Sequence, residues 1–263
     1  MDATRKVNTI ARARESLKQG AFELHYQPKI QLCERKLVGV EALLRWRDGE
    51  VLRGPNEFRA ALDDTILSGE SGAFVLAEGL RQAGEWVKAG VEFGHIAINM
   101  SPQQFRNEMF VNDLLDNLSR HSLAPYHIQL EITEETVLSR SADEVRAVCA
   151  QLRQEGVKIA FDDFGTGFAS LTHLIEFPVD IIKIDRNFIG PLADDARARS
   201  IVASIVGLAR NLDLAIVAEG VETEEQRELL LAMGCNVAQG YLFSPAVSSE
   251  DLFRPRATRA RRL

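Results

Sequence analysis

Hydrophobic and polar residues alternate with two different periods along this chain from residue 22 onward. Short apolar runs with strand-like alternation are each followed by a segment whose apolar residues recur at helical spacing. This order is typical of βα units and a mostly parallel sheet. Helices are predicted for residues 71–90, 141–155, 196–212 and 223–233. Two of them open with a capping box, Ser141 with Glu144 and Thr223 with Gln226.

The first two strand-like runs break this pattern. Residues 22–30 and 36–46 are joined by only five residues. A parallel crossover needs a dozen or more residues, so these two strands are expected to form an antiparallel hairpin. The later gaps mostly suit one crossover helix each. The sequence therefore predicts an α/β fold, a (β/α)8 TIM-like barrel with an antiparallel first strand.

Polar side chains stand at the ends of successive apolar runs. They are Glu41, Asn99, Glu131, Asp162, Asp163, Lys183, Asp185, Glu219 and Gln239. Acids and amides at the ends of buried strands are costly unless something cationic compensates them. Because the strands of a barrel end at one face, a single shared site accounts for the whole set. Strand alternation directs these residues into the barrel mouth and their apolar neighbours toward the helices.

The residue types in this set indicate which metal they would bind. Carboxylate and amide oxygens suit Mg²⁺ or Mn²⁺ better than zinc, and the five histidines form no HxxxH pair. The adjacent Asp162 and Asp163 can serve two metals, and two-metal sites cleave phosphate esters. Lys183 and Arg45 add positive charge for a phosphate or for orienting a water. The alternative to a metal site is a catalytically inactive barrel in which these acids form internal salt bridges. The acids are too many, however, for Lys183 and Arg45 alone to neutralise.

Composition and charge narrow the class of protein further. The chain has 263 residues, 46% of them hydrophobic, which is enough for one full-sized barrel. With 31 basic and 38 acidic residues its net charge is −7, so binding to DNA or to a membrane surface is not expected. No run reaches the roughly 20 apolar residues of a membrane span. Three widely spaced cysteines and no signal peptide predict a reduced, cytoplasmic protein.

Three segments are expected along the chain. Residues 1–20 are predicted to form a solvent-facing lead-in helix, residues 21–250 the barrel domain and residues 251–263 a basic tail. The tail is interpreted as a disordered, solvated end in preference to a binding arm. The chain is also expected to be part of a longer protein.

Eight blocks of this sequence resemble those of one protein family, in that family's order. They are YQPKI, EALLRW, INMSPQQF, LEITE, DDFGTGFASL, IKIDRNFI, VAEGVE and QGYLFSP. On these motifs the chain is similar, from about Phe22 to Pro245, to the EAL-domain phosphodiesterases, which hydrolyse cyclic di-GMP. The resemblance implies an EAL phosphodiesterase domain with a two-metal site for Mg²⁺ or Mn²⁺. The reaction would convert cyclic di-GMP to linear 5′-pGpG in bacterial second-messenger signalling.

The resemblance also assigns roles to individual residues. The metal ligands would be Glu41, Asn99, Glu131, Asp162, Asp163 and Glu219. The catalytic residues would be Lys183, Glu41 and Glu219, with Lys183 in contact with the attacking water. The substrate-binding residues would be Gln27, Leu43, Arg45, Asp185 and Gln239. The residues that support the site would be Glu222 and Glu134, the latter holding a loop that includes Phe164, Gly165, Thr166 and Gly167. A homodimer and sensory or GGDEF domains in a longer chain are the expected partners.

Several alternatives stay open from the sequence. The loop carries Phe168-Ala169 where the family usually has Tyr-Ser, which would fit an inactive EAL domain acting as a cyclic di-GMP receptor or interaction module. Another barrel phosphodiesterase, for example one acting on glycerophosphodiesters, would have the same kind of metal site. The apolar stripe of the 196–212 helix is expected to pack on the barrel, or otherwise to form a dimer face. That stripe consists of Ile201, Ile205, Leu208 and Leu212.

Overall fold

A closed barrel of mostly parallel strands forms the centre of the molecule. The computed structural model describes residues 3–138, 142–165 and 171–254. Its strands are β1 Phe22–Gln31, β2 Lys36–Asp48, β3 Val51–Arg53, β4 Ile96–Asn99, β5 Ile128–Thr133, β6 Lys158–Phe164, β7 Ile181–Ile184, β8 Ala215–Ala218 and β9 Val237–Ala238. Eight of them close the barrel in the order β1-β9-β8-β7-β6-β5-β4-β2, while β3 extends the sheet beside β2. The predicted α/β barrel is therefore confirmed.

The first strand runs against the rest of the barrel. β1 pairs antiparallel with β2 from Phe22 opposite Trp46 to Gln31 opposite Lys36, and antiparallel with β9 on its other side. The other neighbours within the barrel are parallel. The expected hairpin is confirmed, because the turn between Gln31 and Lys36 is too short for a crossover. Its register places Gln27 directly opposite Glu41.

Helices occupy the connections between the strands. They are α1 Ala3–Lys18, α2 Pro55–Leu62, α3 Thr65–Lys88, α4 Phe110–Arg120, α5 Glu134–Val137, α6 Ala142–Gln154, α7 Leu171–Glu176, α8 Arg186–Ile189, α9 Ala196–Asn211, α10 Glu224–Met233 and α11 Ser249–Leu252. Short 3₁₀ turns lie at Gln104–Arg106, Pro125–His127 and Gly190–Leu192. Among the helices that the structure describes, none combines the length and the apolarity that crossing a membrane requires.

The predicted helix ends agree with the structure at some positions and differ at others. The capping box of α10 is present: Gln226 N donates to Thr223 Oγ1 at 3.2 Å, and Thr223 N donates to Gln226 Oε1 at 3.1 Å. α3 begins six residues earlier than predicted, because Asp64 caps it by accepting from Leu67 N at 3.0 Å. Ser141 of the other predicted box lies outside the described residues.

The prediction for the apolar stripe of α9 is wrong in part. Ile205 is buried and Leu208 is half-buried, but Ile201 and Leu212 are exposed by 43% and 39%. The face that packs on the barrel is instead formed by Ala198, Val202, Ile205, Val206 and Ala209. The two stripes share Ile205, and the buried stripe is turned around the helix by less than the rotation of one residue, about 100°. Hydrophobicity alone did not distinguish the two.

The lead-in segment forms α1, and one side of this helix packs against the domain. Ala13 is fully buried, and α1 contacts α2 and α3. Arg12 pairs with Asp48, and Arg14 pairs with Asp64 at 2.5 Å. The expected exposure to solvent therefore applies only to the other side of α1. The division into residues 1–20, 21–250 and 251–263 stays a prediction, and residues 255–263 of the tail lie outside the described part of the chain.

Packing against β2 leads to a prediction about stability. A Cβ at Gly39 would lie 2.4 Å from Cε1 of His95, whose Nε2 atom is buried. We expect Gly39→Ala to lower the free energy of unfolding by about 1–3 kcal/mol, because the ring or the strand must move. Urea unfolding measures the change.

The matched control is Gly207→Ala in α9, where a Cβ would meet no atom within 4 Å. Helix propensity should raise its free energy of unfolding by about 0.5–1 kcal/mol. Equal stabilities of the two variants would contradict the close packing of Gly39 on His95.

Candidate active site

One buried lysine is surrounded by carboxylates from four different strands or strand ends. Lys183 projects from β7 and is fully buried. From its Nζ atom the distances are 2.6 Å to Glu131 Oε2, 2.8 Å to Glu219 Oε1, 2.9 Å to Asp162 Oδ1 and 3.5 Å to Glu41 Oε2. Burial opposes the charge of Lys183, but the four carboxylates outweigh burial and raise its pKa well above the ordinary value. The ammonium is therefore the fixed cation at the centre of the site.

Glu41 reaches this site from within a strand rather than from its end. β2 continues seven residues beyond it, to Asp48, because these residues still pair with β1 and β3. The expected strand end at Glu41 is therefore wrong, although its side chain does face the site. Asn99 Nδ2 donates to Glu41 Oε1 at 2.9 Å, so the amide predicted as a metal ligand lies beside the first carboxylate.

A bulge in β6 brings two successive aspartates to the same site. Neighbouring residues of a regular strand point to opposite faces. Here the pairing of β6 with β7 becomes irregular between Phe161 and Phe164, and Asp163 has φ +54°. Asp163 N donates to Asp162 Oδ1 at 2.9 Å. Both aspartates can therefore contribute oxygens to one centre.

The carboxylates form two overlapping groups. Glu41, Glu131 and Asp162 each offer an oxygen within 4.8 Å of the others, and so do Asp162, Asp163 and Glu219. Within the described residues, these are the groups of three or more acids, histidines or cysteines close enough to hold an ion. Asp162 is common to both. All six predicted metal ligands thus lie together, with Asn99 next to Glu41.

The donor chemistry fits divalent cations. The five carboxylates face two buried lysines, Lys183 and Lys29, and full ionisation would leave three negative charges in excess. Every carboxylate donor is a hard oxygen, as Mg²⁺ and Mn²⁺ prefer. The buried Oε1 of Gln239 has no hydrogen-bond partner among the described groups. Excess charge and an unsatisfied oxygen at one place are what bound cations would relieve.

The surplus negative charge also appears in the pKa values of two acids. Burial raises the pKa of Asp163 to about 6, with help from neighbouring Asp162 and Asp185. Burial likewise raises the pKa of Glu219; Lys183 opposes this shift, while Asp162 and Glu41 add to it. Both shifts mean that these two carboxyl groups lose their protons at a higher pH than ordinary carboxyl groups do.

The closing strand of the barrel positions Gln239. Gln239 N donates to Ala218 O, and its Nε2 donates to Glu41 Oε2 at 2.6 Å and to Glu219 Oε1 at 2.9 Å. A Cβ at Gly240 would lie 2.1 Å from the carbonyl oxygen of Val221, so this close approach requires glycine. Gln239, predicted to bind substrate, therefore lies between two carboxylates.

The other predicted substrate-binding residues lie on β1, on β2 and directly after β7. Gln27 lies opposite Glu41 and donates through Nε2 to Ser244 O at 3.2 Å. Leu43 and Arg45 are half-buried and follow Glu41 on the same face of β2. Asp185 is buried and caps α8 by accepting from Asn187 N at 2.8 Å.

Two sequence-based statements about supporting charges need correction. Arg45 donates to Leu44 O at 2.9 Å and forms no ion pair with these acids in the described part of the chain. The second neutralising charge comes instead from Lys29, whose Nζ lies 2.8 Å from Glu131 Oε1. The sequence reasoning missed Lys29 and Gln129, although alternation from Gln27 and from Glu131 places both on the inner face.

The structure describes some of the predicted supporting residues. Glu134 is buried, and its Oε1 accepts from Gly165 N at 3.2 Å, next to the buried Phe164. Thr166 and Gly167, and with them Phe168-Ala169, lie outside the described residues. Glu222 is exposed, and its backbone N donates to Gln226 Oε1. Its expected support of the site stays a prediction.

Comparison with known proteins places this geometry in a family. The chain matches the EAL domain family over residues 10–246. It is 43% identical over 240 residues to the bifunctional diguanylate cyclase/cyclic di-GMP phosphodiesterase MucR of Pseudomonas aeruginosa, covering 91% of this chain and 35% of that protein. It is 36% identical over 232 residues to a cyclic di-GMP phosphodiesterase of the same species, covering 88% and 39%. This chain thus spans about a third of the length of the curated relatives it matches.

Solved structures give the same result. The PaMucR phosphodiesterase in complex with c-di-GMP has a TM-score of 0.85 at 40% identity, covering 94% of this chain and 100% of that chain. The EAL enzyme Bd1971 in its cGMP-bound form has a TM-score of 0.87 at 31% identity, covering 94% and 68%. The resemblance noted in the eight sequence blocks is therefore confirmed. With its barrel, its carboxylate cluster and its matching sequence, this chain belongs to the EAL domain family.

Proposed function

We propose that this chain is a Mg²⁺- or Mn²⁺-dependent phosphodiesterase that hydrolyses cyclic di-GMP to linear 5′-pGpG. The observation that carries the proposal is a cluster of five carboxylates, four of them in contact with a buried lysine, at one end of an EAL barrel. Relatives named as cyclic di-GMP phosphodiesterases and a neighbour solved with c-di-GMP support the choice of substrate.

The two carboxylate groups suggest two cation positions. Glu41, Asn99, Glu131 and Asp162 would hold one ion, and Asp162, Asp163 and Glu219 the other. Divalent cations bound there would supply positive charge to the phosphate and lower the pKa of the attacking water. The shared Asp162 and the three excess negative charges support a pair of ions rather than one.

Lys183 is the proposed residue for orienting the attacking water. Its ammonium lies within 3.5 Å of carboxylates from both groups that would hold the cations. Glu41 and Glu219 flank it and share the catalytic role. Hydrolysis to 5′-pGpG adds the water oxygen to phosphorus, breaks one P–O3′ bond and delivers a proton to the 3′ oxygen.

The substrate would lie across the mouth of the barrel. Gln27, Leu43 and Arg45 are proposed to contact it from β1 and β2, because they share the open face on which Glu41 lies. Asp185 would contact it from the end of β7, and Gln239 from the end of β9 beside β1. Arg45 lacks an ion-pair partner within the described residues, so its guanidinium is free to meet a phosphate.

Supporting residues and partners complete the proposal. Glu134, through its contact with Gly165, is proposed to hold the loop from Phe164 through Gly167, and Glu222 to support the cluster from outside. A homodimer, and sensory or GGDEF domains in a longer chain, are proposed on family grounds; one relative is named as bifunctional. Three free cysteines support a reducing, cytoplasmic location.

Product analysis tests the proposed activity directly. Purified protein incubated with cyclic di-GMP and Mn²⁺ or Mg²⁺ should yield linear 5′-pGpG by chromatography, and EDTA should abolish the product because the carboxylates then lack their cations. A glycerophosphodiester in parallel should not be turned over. Tight cyclic di-GMP binding without product at saturating Mn²⁺ would instead identify a receptor, and cleavage of the glycerophosphodiester alone would identify a different phosphodiesterase.

Removing a carboxylate from each group tests the cation positions. Glu41→Gln and Asp162→Asn should each lower kcat at least about 100-fold, because several kcal/mol of charge stabilisation is lost. Glu224→Gln is the matched control: this glutamate is exposed at the start of α10 and pairs only with surface arginines in the described structure. Its activity should stay within twofold of the unmodified protein. Full activity in Glu41→Gln would exclude the mechanism.

Metal affinity should depend on pH through Asp163. A cation binds the ionised carboxylate, and the pKa of Asp163 in the protein without cations is raised to about 6. Affinity for Mn²⁺ should therefore fall as pH falls from 7 to 5, and binding at pH 6 should release protons. Calorimetry in two buffers of different ionisation enthalpy measures this release. Asp163→Asn should reduce it, and an unchanged release would show that Asp163 does not ionise on binding.

A further inference from the structure

Glu131 is the most deeply buried acid of the cluster. It is fully buried, and three side chains donate to it. Lys183 Nζ lies 2.6 Å from Oε2, on the side of the other carboxylates. Lys29 Nζ and Gln129 Nε2 both donate to Oε1, each at 2.8 Å. One oxygen is therefore saturated by donors outside the proposed cation positions, and the other is turned toward them.

Lys29 and Gln129 form a layer of the barrel interior next to the cluster. Lys29 lies on β1 two residues beyond Gln27, and Gln129 lies on β5 two residues before Glu131, so strand alternation turns both inward. Their exposed fractions are 0% and 1%. In the described part of the chain Lys29 makes its ion pair with Glu131 and with no other acid. The contact is thus specific to one proposed metal ligand.

Stability by itself does not account for this buried ion pair. Withdrawing an ammonium and a carboxylate from water costs about as much as their attraction returns, and apolar residues of similar size often serve a core equally well. What Lys29 adds is geometry, because it fixes which oxygen of Glu131 is occupied. Lys183 cannot do this alone, since it is shared among four carboxylates.

We propose that Lys29, assisted by Gln129, is a positioning residue that orients Glu131 so that Oε2 is presented to a divalent cation. This inference rests on the proposed metal-dependent function. Hydrogen-bonding partners behind a ligating carboxylate typically change metal affinity by 10- to 100-fold.

Removing Lys29 changes the affinity for a divalent cation in one direction if Lys29 positions Glu131, and in the other direction if it only balances charge. Removing a nearby positive charge would, by Coulomb's law alone, draw a divalent cation more tightly. Releasing Glu131 from its fixed orientation would weaken binding instead, because the ligand must then be ordered when the cation binds. A positioning role and a charge-balancing role therefore predict opposite shifts of affinity.

The test is the Mn²⁺ affinity of the metal-stripped, full-length chain, measured by calorimetry. Lys29→Met should bind Mn²⁺ about 10- to 100-fold more weakly than the unmodified protein. The matched control is Lys158→Met, which also removes a lysine–carboxylate pair, 3.1 Å to Asp180, at a lysine that is 56% exposed. The control should change affinity less than twofold. Unchanged or tighter binding by Lys29→Met would overturn the inference.

A second variant covers the case in which Lys29→Met does not fold. Gln129→Met removes the neutral donor to the same Oε1 and leaves the charges of the site unchanged. It should weaken Mn²⁺ binding about fivefold, the effect of one ordinary hydrogen bond. Unchanged affinity in Gln129→Met would overturn the inference equally.

Turnover kinetics distinguish this inference from the proposed function. Raising Mn²⁺ should restore kcat in Lys29→Met, while KM for cyclic di-GMP stays within twofold, because the described side-chain contact of Lys29 is with Glu131 and not with a proposed substrate residue. Loss of kcat that Mn²⁺ does not restore would overturn the positioning role. If the unmodified protein bound no Mn²⁺ at all, the proposed metal site itself would fail, whereas equal binding by both proteins would reject Lys29 alone.

Discussion

The ion pairs between Lys183 and the carboxylates around it are the interaction on which the site depends. Acids from β2, β5, β6 and the end of β8 meet within 3.5 Å of one ammonium. Like charges at this separation, withdrawn from water, repel one another and favour the protonated acids. A lysine with a raised pKa holds them together without removing the negative surplus. The same arrangement therefore holds the carboxylates together and leaves a site that attracts divalent cations.

The antiparallel first strand gives this cluster its support. β1 enters the barrel against the other strands, and its inward residues Gln27 and Lys29 lie at two different depths. Lys29 reaches Glu131 from the far side of the barrel interior, where most barrels of this type have apolar layers. Closure by the two-residue β9 then brings Gln239 between Glu41 and Glu219. Among the described residues, Gln239 Oε1 is the buried atom of this cluster that has no hydrogen-bond partner.

Much of the fold and of the residue set could be predicted because alternation and connection length act locally. The five-residue link between the first two runs required a hairpin, and polar residues after apolar runs identified Glu131, Asp162 and Lys183. Lys29 escaped notice because a lysine within an apolar run normally extends its ammonium to water. The sequence also suggested that Arg45 helps to neutralise the acids. Its position along β2 shows which face of the strand its side chain shares, but not which group the guanidinium contacts.

The sequence by itself determined the barrel class, the direction of its first strand and which side chains could share its mouth, since these follow from periodicity and loop length. Only the tertiary structure decided how those side chains meet. The bulge that turns Asp162 and Asp163 to one side depends on the pairing of β6 with β7. The place of Glu41 within β2 depends on pairing with β1 and β3, and the buried face of α9 depends on the barrel beneath it. Each is a contact between distant segments, whose energy does not appear in any local pattern of residues.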